Sequence, residues 1–349
     1  MKYLSSFFAA ASIICLNSCV STEIVEPETS SDRIILNLSA MDEVGTRASA
    51  NHEGFKLRYT AILYRGSSAN YIEESTRKRE EIVEGENELN EIIFDVEPNH
   101  TYTIFVYADY IPASSTKTGK EYADHFYDTH TYKDNVVMLT TPHPNGDYSK
   151  VANDFFNNDN YDFFSSIVTI EKGEPKEERE LTLKRSVAKV RVVDISDYDQ
   201  TYDLSVPRFS HYANFSRTGE NKSGAFNHTQ HSSKISLEVG KSQQPDSNSE
   251  KELFFYYTFA DEANNAATKT TLTFNLDGVQ SYAKEFSVSD IPVRQNYITT
   301  IKGKFLPSSD ELNPGDDTGG SDDDLIGPIY LYLSANDGDW ENQTKNWSN

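Results

Sequence analysis

The chain has 349 residues and a formal net charge of −23, from 55 acidic and 32 basic side chains. Its length is sufficient for two domains of roughly 100–200 residues each. The acidic balance repels nucleic acid and anionic lipid headgroups and favours solubility, so nucleic-acid binding is excluded from the expected functions.

The first residues resemble a bacterial export signal. Lys2 precedes the apolar run Phe7–Leu16, which is too short to span a bilayer because a membrane helix needs about 20 apolar residues. Leu16 is also the first residue of Leu-Asn-Ser-Cys, a lipobox-like tetrapeptide. It predicts a lipoprotein signal at residues 1–18 and acylation of Cys19. Asn17 is atypical of a lipobox, so a plain secretory signal stays open. With Cys15 in the signal and Cys19 acylated, the mature chain has no free thiol for a disulfide, a metal site or a nucleophile.

Short strands separated by turns dominate the rest of the chain. It contains 21 Tyr and 19 Phe but only 3 Met, as β-rich packing favours. No segment keeps a period of 3.6 residues for long, and Glu73–Glu91 predicts either a short helix or a long hairpin. Strands are predicted at Ile34–Leu38, Phe55–Leu63, Glu91–Val96, Thr101–Ala108, Ser166–Ile170, Leu181–Val193, Lys234–Val239, Leu253–Phe259, Thr270–Leu276, Tyr297–Phe305 and Ile329–Leu333. This pattern indicates β-sandwiches.

Changes in composition predict the domain boundaries. A charged segment with one proline, Gly173–Glu180, lies between two predicted strands, so we place the boundary there, within about ten residues. Residues 48–175 and 176–306 then form the two domains, after a propeptide at 19–47 that contains the first strand. Residues 307–324 are acidic and almost without apolar side chains, which predicts a flexible linker. Residues 325–349 form the C-terminal extension.

The two ends of the chain carry similar strands. Ile34, Leu36 and Leu38 share one face of the first, and a corresponding face of the last is made by Ile329, Leu331 and Leu333. A lone strand on a flexible tether cannot bury itself locally, so we expect the last one to pair elsewhere. Two plainer arrangements stay open: an ordinary, permanent first strand, and a last strand that packs on its own domain as an edge strand.

Arg47 lies among small and polar residues, which predicts an exposed loop that a trypsin-like protease cuts before Ala48. If Arg47 is instead an ordinary loop arginine, the first strand is retained. Trp340 and Trp347 are expected to anchor the terminal segment, although an exposed sugar-stacking pair is the alternative.

The sequence gives little support for an enzymatic function. The sequence has no Gly-x-Ser-x-Gly elbow, no glycine-rich phosphate loop and no His-Glu-x-x-His. The pairs His228/His231 and His125/His130 lack the spacing of a zinc site. Asn153–Asp162 offers oxygen ligands for calcium, but without the glycine and final glutamate of a calcium loop it is expected to be a solvated turn. We therefore expect no enzyme, no cofactor and no metal site.

Four features together resemble the fimbrillin superfamily of Bacteroidetes, the subunits of type V pili. These features are the lipoprotein signal, Thr46-Arg47-Ala48, the run Leu183–Val190 and the Arg-Gln-Asn-Tyr element within Pro292–Gly303. The resemblance covers the chain from its signal to about Phe305. It implies an all-β fold of two tandem transthyretin-like β-sandwich domains, export as an outer-membrane lipoprotein, proteolysis after Arg47 and polymerisation by donor-strand exchange.

In that scheme Ile34, Leu36 and Leu38 leave a groove, and Ile329, Leu331 and Leu333 of a neighbouring subunit fill it. The expected partners are other fimbrial subunits, the outer membrane through the lipid before processing, and host or bacterial surface ligands. The alternative is a lipid-anchored surface protein that binds a glycan or host protein without polymerising. Shaft, tip and accessory subunits are not distinguished by the sequence.

Overall fold

The computed structural model describes residues 32–40, 52–67, 73–129, 136–139, 155–173, 178–196, 202–212, 214–216, 230–233, 251–260, 269–278, 283–305, 329–334 and 340–341. Almost all regular structure in these ranges is β-strand, together with a 3-10 turn at Asp159–Tyr161. The strands are β1 Asp32–Ala40, β2 Phe55–Arg65, β3 Glu73–Val83, β4 Glu91–Val96, β5 Tyr102–Pro112, β6 Tyr127–Asp128, β7 Val136–Leu139, β8 Phe163–Ile170, β9 Arg179–Arg185, β10 Val187–Asp194, β11 Tyr202–Tyr212, β12 Asn214–Ser216, β13 Gln230–Ser233, β14 Lys251–Phe259, β15 Lys269–Gly278, β16 Ala283–Pro292, β17 Ile298–Gly303, β18 Tyr330–Ser334 and β19 Trp340–Glu341.

The first nine strands build the N-terminal sandwich, apart from the short β6 and β7. Its hydrogen-bonded order is β3-β2-β5-β8-β9-β1-β4. β8 and β9 pair through only two residue pairs, and the two arms of the sheet, β3-β2-β5-β8 and β9-β1-β4, face a common core. Apolar side chains alternate along β4, where the buried residues are Ile92, Phe94 and Val96, as expected of a strand with one face on the core.

The C-terminal sandwich consists of two sheets. Their strand orders are β14-β10-β17-β18-β19 and β13-β11-β15-β16. Both sheets contribute to one core, for example through Val190 and Ile301 from the first and Leu272 and Phe274 from the second. A three-stranded sheet, β12-β7-β6, joins segments of both halves. The predicted all-β fold with two sandwiches is therefore confirmed.

One strand prediction needs correction, and one open alternative is decided. The run Leu181–Val193 is not one strand, because β9 ends at Arg185 and β10 begins at Val187 in a different sheet. Ser186 between them is fully buried. Glu73–Glu91 is not helical: β3 pairs antiparallel with β2, and a turn leads into β4. Lys234–Val239 lies outside the described residues.

The charged segment chosen for the domain boundary ends where β9 begins. β9 pairs with β1 and β8, so the N-terminal group of strands extends to Arg185. Strands change sheets at Ser186, and the domain bounds 48–175 and 176–306 stay a prediction.

Candidate functional site

The first strand of the chain is an interior part of the N-terminal sandwich. Ile34 and Leu36 are 0% exposed and Leu38 is 3% exposed. Their side chains belong to the core that Leu57, Tyr59, Ala61 and Leu63 from β2 and Ile104, Val106 and Ala108 from β5 also form. Burial of three large aliphatic side chains contributes about 1.5–3 kcal/mol each relative to exposure.

Both backbone edges of β1 are paired. On one side it runs antiparallel to β4, with Leu36 opposite Ile92. On the other it runs parallel to β9, with Leu38 opposite Leu181. Because β1 is the middle strand of its layer, its removal would open a slot one strand wide and expose unpaired N–H and C=O groups on both walls.

Side chains on the outer face of β1 also meet partners on the neighbouring strands. Arg33 Nε donates to Asp95 Oδ1 at 3.1 Å, and Ser39 Oγ donates to Thr182 Oγ1 at 3.3 Å. Both pairs are directly opposed in the strand register. These exposed contacts are each worth little, so the core face holds the strand more than the outer face does.

Tyr59 marks the end of β1. Its phenol oxygen accepts a hydrogen bond from the backbone N–H of Ala40 at 3.2 Å. Burial, with the nearby charge of Glu84, raises the pKa of Tyr59 to about 12, although the Ala40 hydrogen bond acts in the opposite direction. The neutral phenol is therefore the form that fits beneath the last residue of the strand.

In this monomer the last strand pairs with its own domain, between β17 and the short β19. β18 pairs antiparallel with β17, with Leu331 opposite Ile301. Ile329 and Leu331 are 8% and 3% exposed and belong to the C-terminal core. The backbone of Leu333 pairs with Thr299. Ile329 and Leu331 are thus covered by the strand's own domain in the monomer, and the role of this segment as a donor strand stays a prediction.

β1 and β18 lie in different sheets, so the candidate groove and the candidate donor of one chain are separate. Cys19, Arg47, Ala48, Trp347 and the linker 307–324 lie outside the described residues. Trp340 is in β19, where its backbone pairs with Ser334.

Two of the four features that carry the fimbrillin resemblance pair with each other. β10, from the run Leu183–Val190, lies parallel to β17, which follows the Arg-Gln-Asn-Tyr element. Asn296, at a φ of +61°, donates its N–H to the carbonyl of Val187 at 3.0 Å, and its Oδ1 accepts from Arg185 at 3.0 Å. Lys189 N–H donates to the carbonyl of Tyr297 at 3.0 Å. The motifs therefore pair inside one sheet of the C-terminal sandwich, and the Arg185–Asn296 hydrogen bond connects that sheet to β9 of the N-terminal sandwich.

Asn153–Asp162 is not a solvated turn, at least from Phe155 onwards. Phe155, Phe156 and Tyr161 are buried because their rings fill the space between the two sandwiches, next to Phe209 and Tyr256. The aromatic residues inside this polar segment were the signal for its burial.

The carboxylates of that segment bind side chains of the protein. Asp159 Oδ1 accepts from Lys189 Nζ at 3.1 Å and from the Tyr257 hydroxyl at 2.7 Å. Asp162 Oδ1 and Oδ2 accept from Arg185 Nε at 2.7 and 2.8 Å. Oxygen atoms that the sequence offers to a cation are thus used to hold the two sandwiches together.

A second buried charge cluster was missed from the sequence. Arg58 donates to both oxygens of Asp109 at 2.9 and 2.8 Å and to Asp124 at 2.8 Å. Burial opposes its charge, but these carboxylates together with Glu81 raise the pKa of Arg58. Because Asp124 also accepts from Thr129, the cluster attaches the segment after β5 to the sheet.

Within the described ranges, no three His, Cys, Asp or Glu side chains are grouped as a metal ion would require. No described helix has the length and hydrophobicity to cross a membrane.

Several solved structures are similar to this chain. The fimbrial anchor protein Mfa2 from Porphyromonas gingivalis is 12% identical with a TM-score of 0.44, over 89% of this chain and 98% of that one. A fimbrial assembly protein from Parabacteroides distasonis is 13% identical with a TM-score of 0.39, over 90% and 99%. The C-terminally truncated tip fimbrial protein Mfa3 from Porphyromonas gingivalis is 12% identical with a TM-score of 0.37, over 86% and 98%.

Fimbrial proteins, the class that the sequence motifs resemble, are thus among the similar structures, although likeness at this level transfers no function. No curated protein sequence matches significantly. A family model described as a family of unknown function (DUF6562) matches residues 27–342. Since this match covers most of the chain, the protein belongs to that family.

Proposed function

We propose that this protein is a structural subunit of a cell-surface fimbria. It is exported as a lipoprotein through Cys19, cut between Arg47 and Ala48, and polymerised by donor-strand exchange, and the fimbria supports adhesion. Its partners are other fimbrial subunits. The observation that carries the proposal is the position of β1: a middle strand with a buried apolar face that precedes the expected cut.

The chain contains a strand with the same apolar pattern as β1. Ile329, Leu331 and Leu333 repeat the spacing of Ile34, Leu36 and Leu38, so a neighbour's last strand offers the groove nearly the same side chains. Donor and acceptor are different surfaces. The contact is therefore heterologous and need not close, and a filament is its natural product.

The groove offers a neighbour's last strand about as much backbone pairing as that strand has in its own domain. On its own domain, β18 pairs with β17 along its length and with β19 through two residue pairs. In the groove, β4 pairs with Asp32–Asn37 and β9 with Leu36–Ala40, so each wall contacts an incoming strand over part of its length. Exchange therefore replaces one set of backbone pairs by another of similar extent, at roughly 0.5–1.5 kcal/mol for each net hydrogen bond. Residues 307–324 reach about 60 Å when extended, at ~3.3–3.6 Å per residue.

Cleavage and assembly test the proposal together. Limited trypsin digestion of the purified chain should cut once, after Arg47, leave a resistant remainder and yield filaments visible by electron microscopy. Arg47→Ala should stay monomeric because β1 keeps the groove filled. Arg33→Ala, in an exposed ion pair of β1, is the matched control and should assemble normally. Filaments from Arg47→Ala equal to those of the parent chain would refute the proposed maturation.

The second candidate is a lipid-anchored surface protein that binds a glycan or host protein without polymerising. The self-paired position of β18 favours it. This candidate expects the cut chain to remain monomeric at every concentration. Membrane partitioning of a Cys19→Ala variant tests the anchor that both candidates share.

A further inference from the structure

One polar side chain of β1 is buried on the outer face of the strand. Asn37 is 4% exposed, and its Nδ2 donates to Glu178 Oε1 at 2.5 Å and to Glu180 Oε1 at 3.1 Å. Its Oδ1 is buried without a hydrogen-bond partner. The amide therefore acts on this surface as a donor, and two carboxylates on one wall of the groove share it.

Any strand that replaces β1 places a side chain at this position. Asn37 is directly opposite Glu180 in the register, and side chains in directly opposed positions interact. An acidic side chain there would add a third negative charge, and like charges directly opposed are destabilising. An apolar side chain would leave the carboxylates without the donor they have now. The position therefore selects a neutral or positive hydrogen-bond donor.

The last strand places a hydrogen-bond donor at the position of Asn37 whether it enters the groove in the direction of β1 or reversed. When Ile329, Leu331 and Leu333 are aligned with Ile34, Leu36 and Leu38, Tyr332 falls at the position of Asn37. When the strand is reversed about Leu331, Tyr330 falls there instead. Each phenol hydroxyl supplies one O–H donor. In the monomer both rings lie half-buried on the outer face of β18, with centroids 6.2 Å apart.

We propose that Glu178 and Glu180 form a recognition point that selects and registers the incoming strand by a hydrogen bond from its tyrosine hydroxyl, in the place of Asn37. This inference rests on the proposed strand exchange and names the residues that decide which strand fits. The partner it implies is the C-terminal strand of a second copy of this chain, or of a subunit with a donor at the same position.

Peptide binding to the cut chain tests it. The full chain is cleaved after Arg47 and titrated with fluorescently labelled peptides of residues 325–349, read by anisotropy. The parent peptide is compared with Tyr330→Phe/Tyr332→Phe, which removes only two hydroxyls, and with Leu331→Asp, which places a carboxylate in the core. Because the double-Phe peptide lacks the hydrogen bond to the carboxylates, it should bind roughly ten-fold more weakly. A Glu178→Gln/Glu180→Gln acceptor should lose most of that difference.

The outcomes separate the two ideas. If the parent peptide binds, the Leu331→Asp peptide does not, and the double-Phe peptide binds as tightly as the parent, strand exchange stands and the recognition point is overturned. If the parent peptide fails to bind the cut chain, or binds no better than the Leu331→Asp peptide, strand exchange itself fails and the recognition point with it. The peptide substitutions leave the acceptor unchanged, so its folding cannot confuse the comparison.

Discussion

At the scale of single residues, the two faces of β1 make different contacts. Ile34, Leu36 and Leu38 provide the burial that keeps the strand in place, whereas Asn37 adds a polar contact on the opposite side. Tyr59 contacts β1 in two ways. Its ring belongs to the core beneath the strand, and its phenol oxygen accepts a hydrogen bond from the backbone N–H of Ala40.

Tyr59 predicts a loss of stability at alkaline pH. Its folded pKa of about 12 exceeds the ordinary value of 10.0, so its contribution is complete below pH 10 and is lost as pH rises through 12. Tyr59→Phe should reduce the fall in unfolding free energy between pH 8 and pH 11.5 by roughly 1–2 kcal/mol. Urea unfolding at a series of pH values measures this, and an identical pH slope in both proteins would contradict it.

At the scale of strands, β18 has two possible sets of partners. In the monomer β18 pairs with β17, and Ile329 and Leu331 belong to the C-terminal core. In the groove of another subunit it would lie between β4 and β9. The segment is therefore both part of the folded monomer and the candidate link between subunits.

Deletion of Ile329–Asn349 should leave a folded monomer with a lower melting temperature, because it uncovers the β17 edge around Ile301. The lost burial, about 1.5–3 kcal/mol for each of Ile329 and Leu331, should lower Tm by several degrees, since about 1 kcal/mol shifts it by 2–4 °C in domains of 150–250 residues. A chain ending at Glu341 retains β18 and β19 and is the control. Thermal unfolding followed by circular dichroism measures both.

The same deletion should abolish donation while preserving acceptance, so the cut, truncated chain caps growing filaments. Equal assembly by truncated and full-length cut chains would rule out this segment as the donor.

At the scale of the whole molecule, the N-terminal sandwich has a core of its own, and the opposite face of β2 and β5 joins the core of the C-terminal sandwich. Phe163 and Tyr127 pack against Phe259, with ring centroids 5.4 and 5.6 Å apart. Arg185 at the end of β9, held in an ion pair by Asp162, also donates to Asn296 of the C-terminal sandwich.

Asp162→Asn should weaken the whole molecule. It leaves the Arg185 guanidinium buried with less compensation, and loss of one partner from a buried pair costs about 3–5 kcal/mol. Asp95→Asn, which removes an exposed partner of Arg33, should cost at most about 1 kcal/mol. Calorimetry should show one transition in the parent chain and an earlier onset in Asp162→Asn. Equal unfolding free energies for the two variants would show that the contact between the sandwiches does not depend on this pair.

Local patterns in the sequence were sufficient for the all-β fold and for most strands. Alternation of apolar residues has a period of two in strands whatever the later packing, which is why Glu91–Val96 was predicted with its observed bounds. The same reasoning found Ile34, Leu36 and Leu38 as a buried face. The apolar pattern of Leu181–Val193 was read correctly as β, but no local signal shows that a chain leaves one sheet at Ser186 and enters another.

Only the tertiary structure decided which strands become neighbours and which polar groups are buried. Strand pairing joins residues far apart in sequence, such as Leu36 with Arg179 and Arg58 with Asp109. A charged or amide side chain has the same local pattern whether it meets water or a partner, so Asn37, Arg58 and Asp162 resemble surface residues in the sequence. The sequence by itself determined the type of each strand, because period is local. Its partners, and therefore the groove, depended on contacts that exist only after the chain has folded.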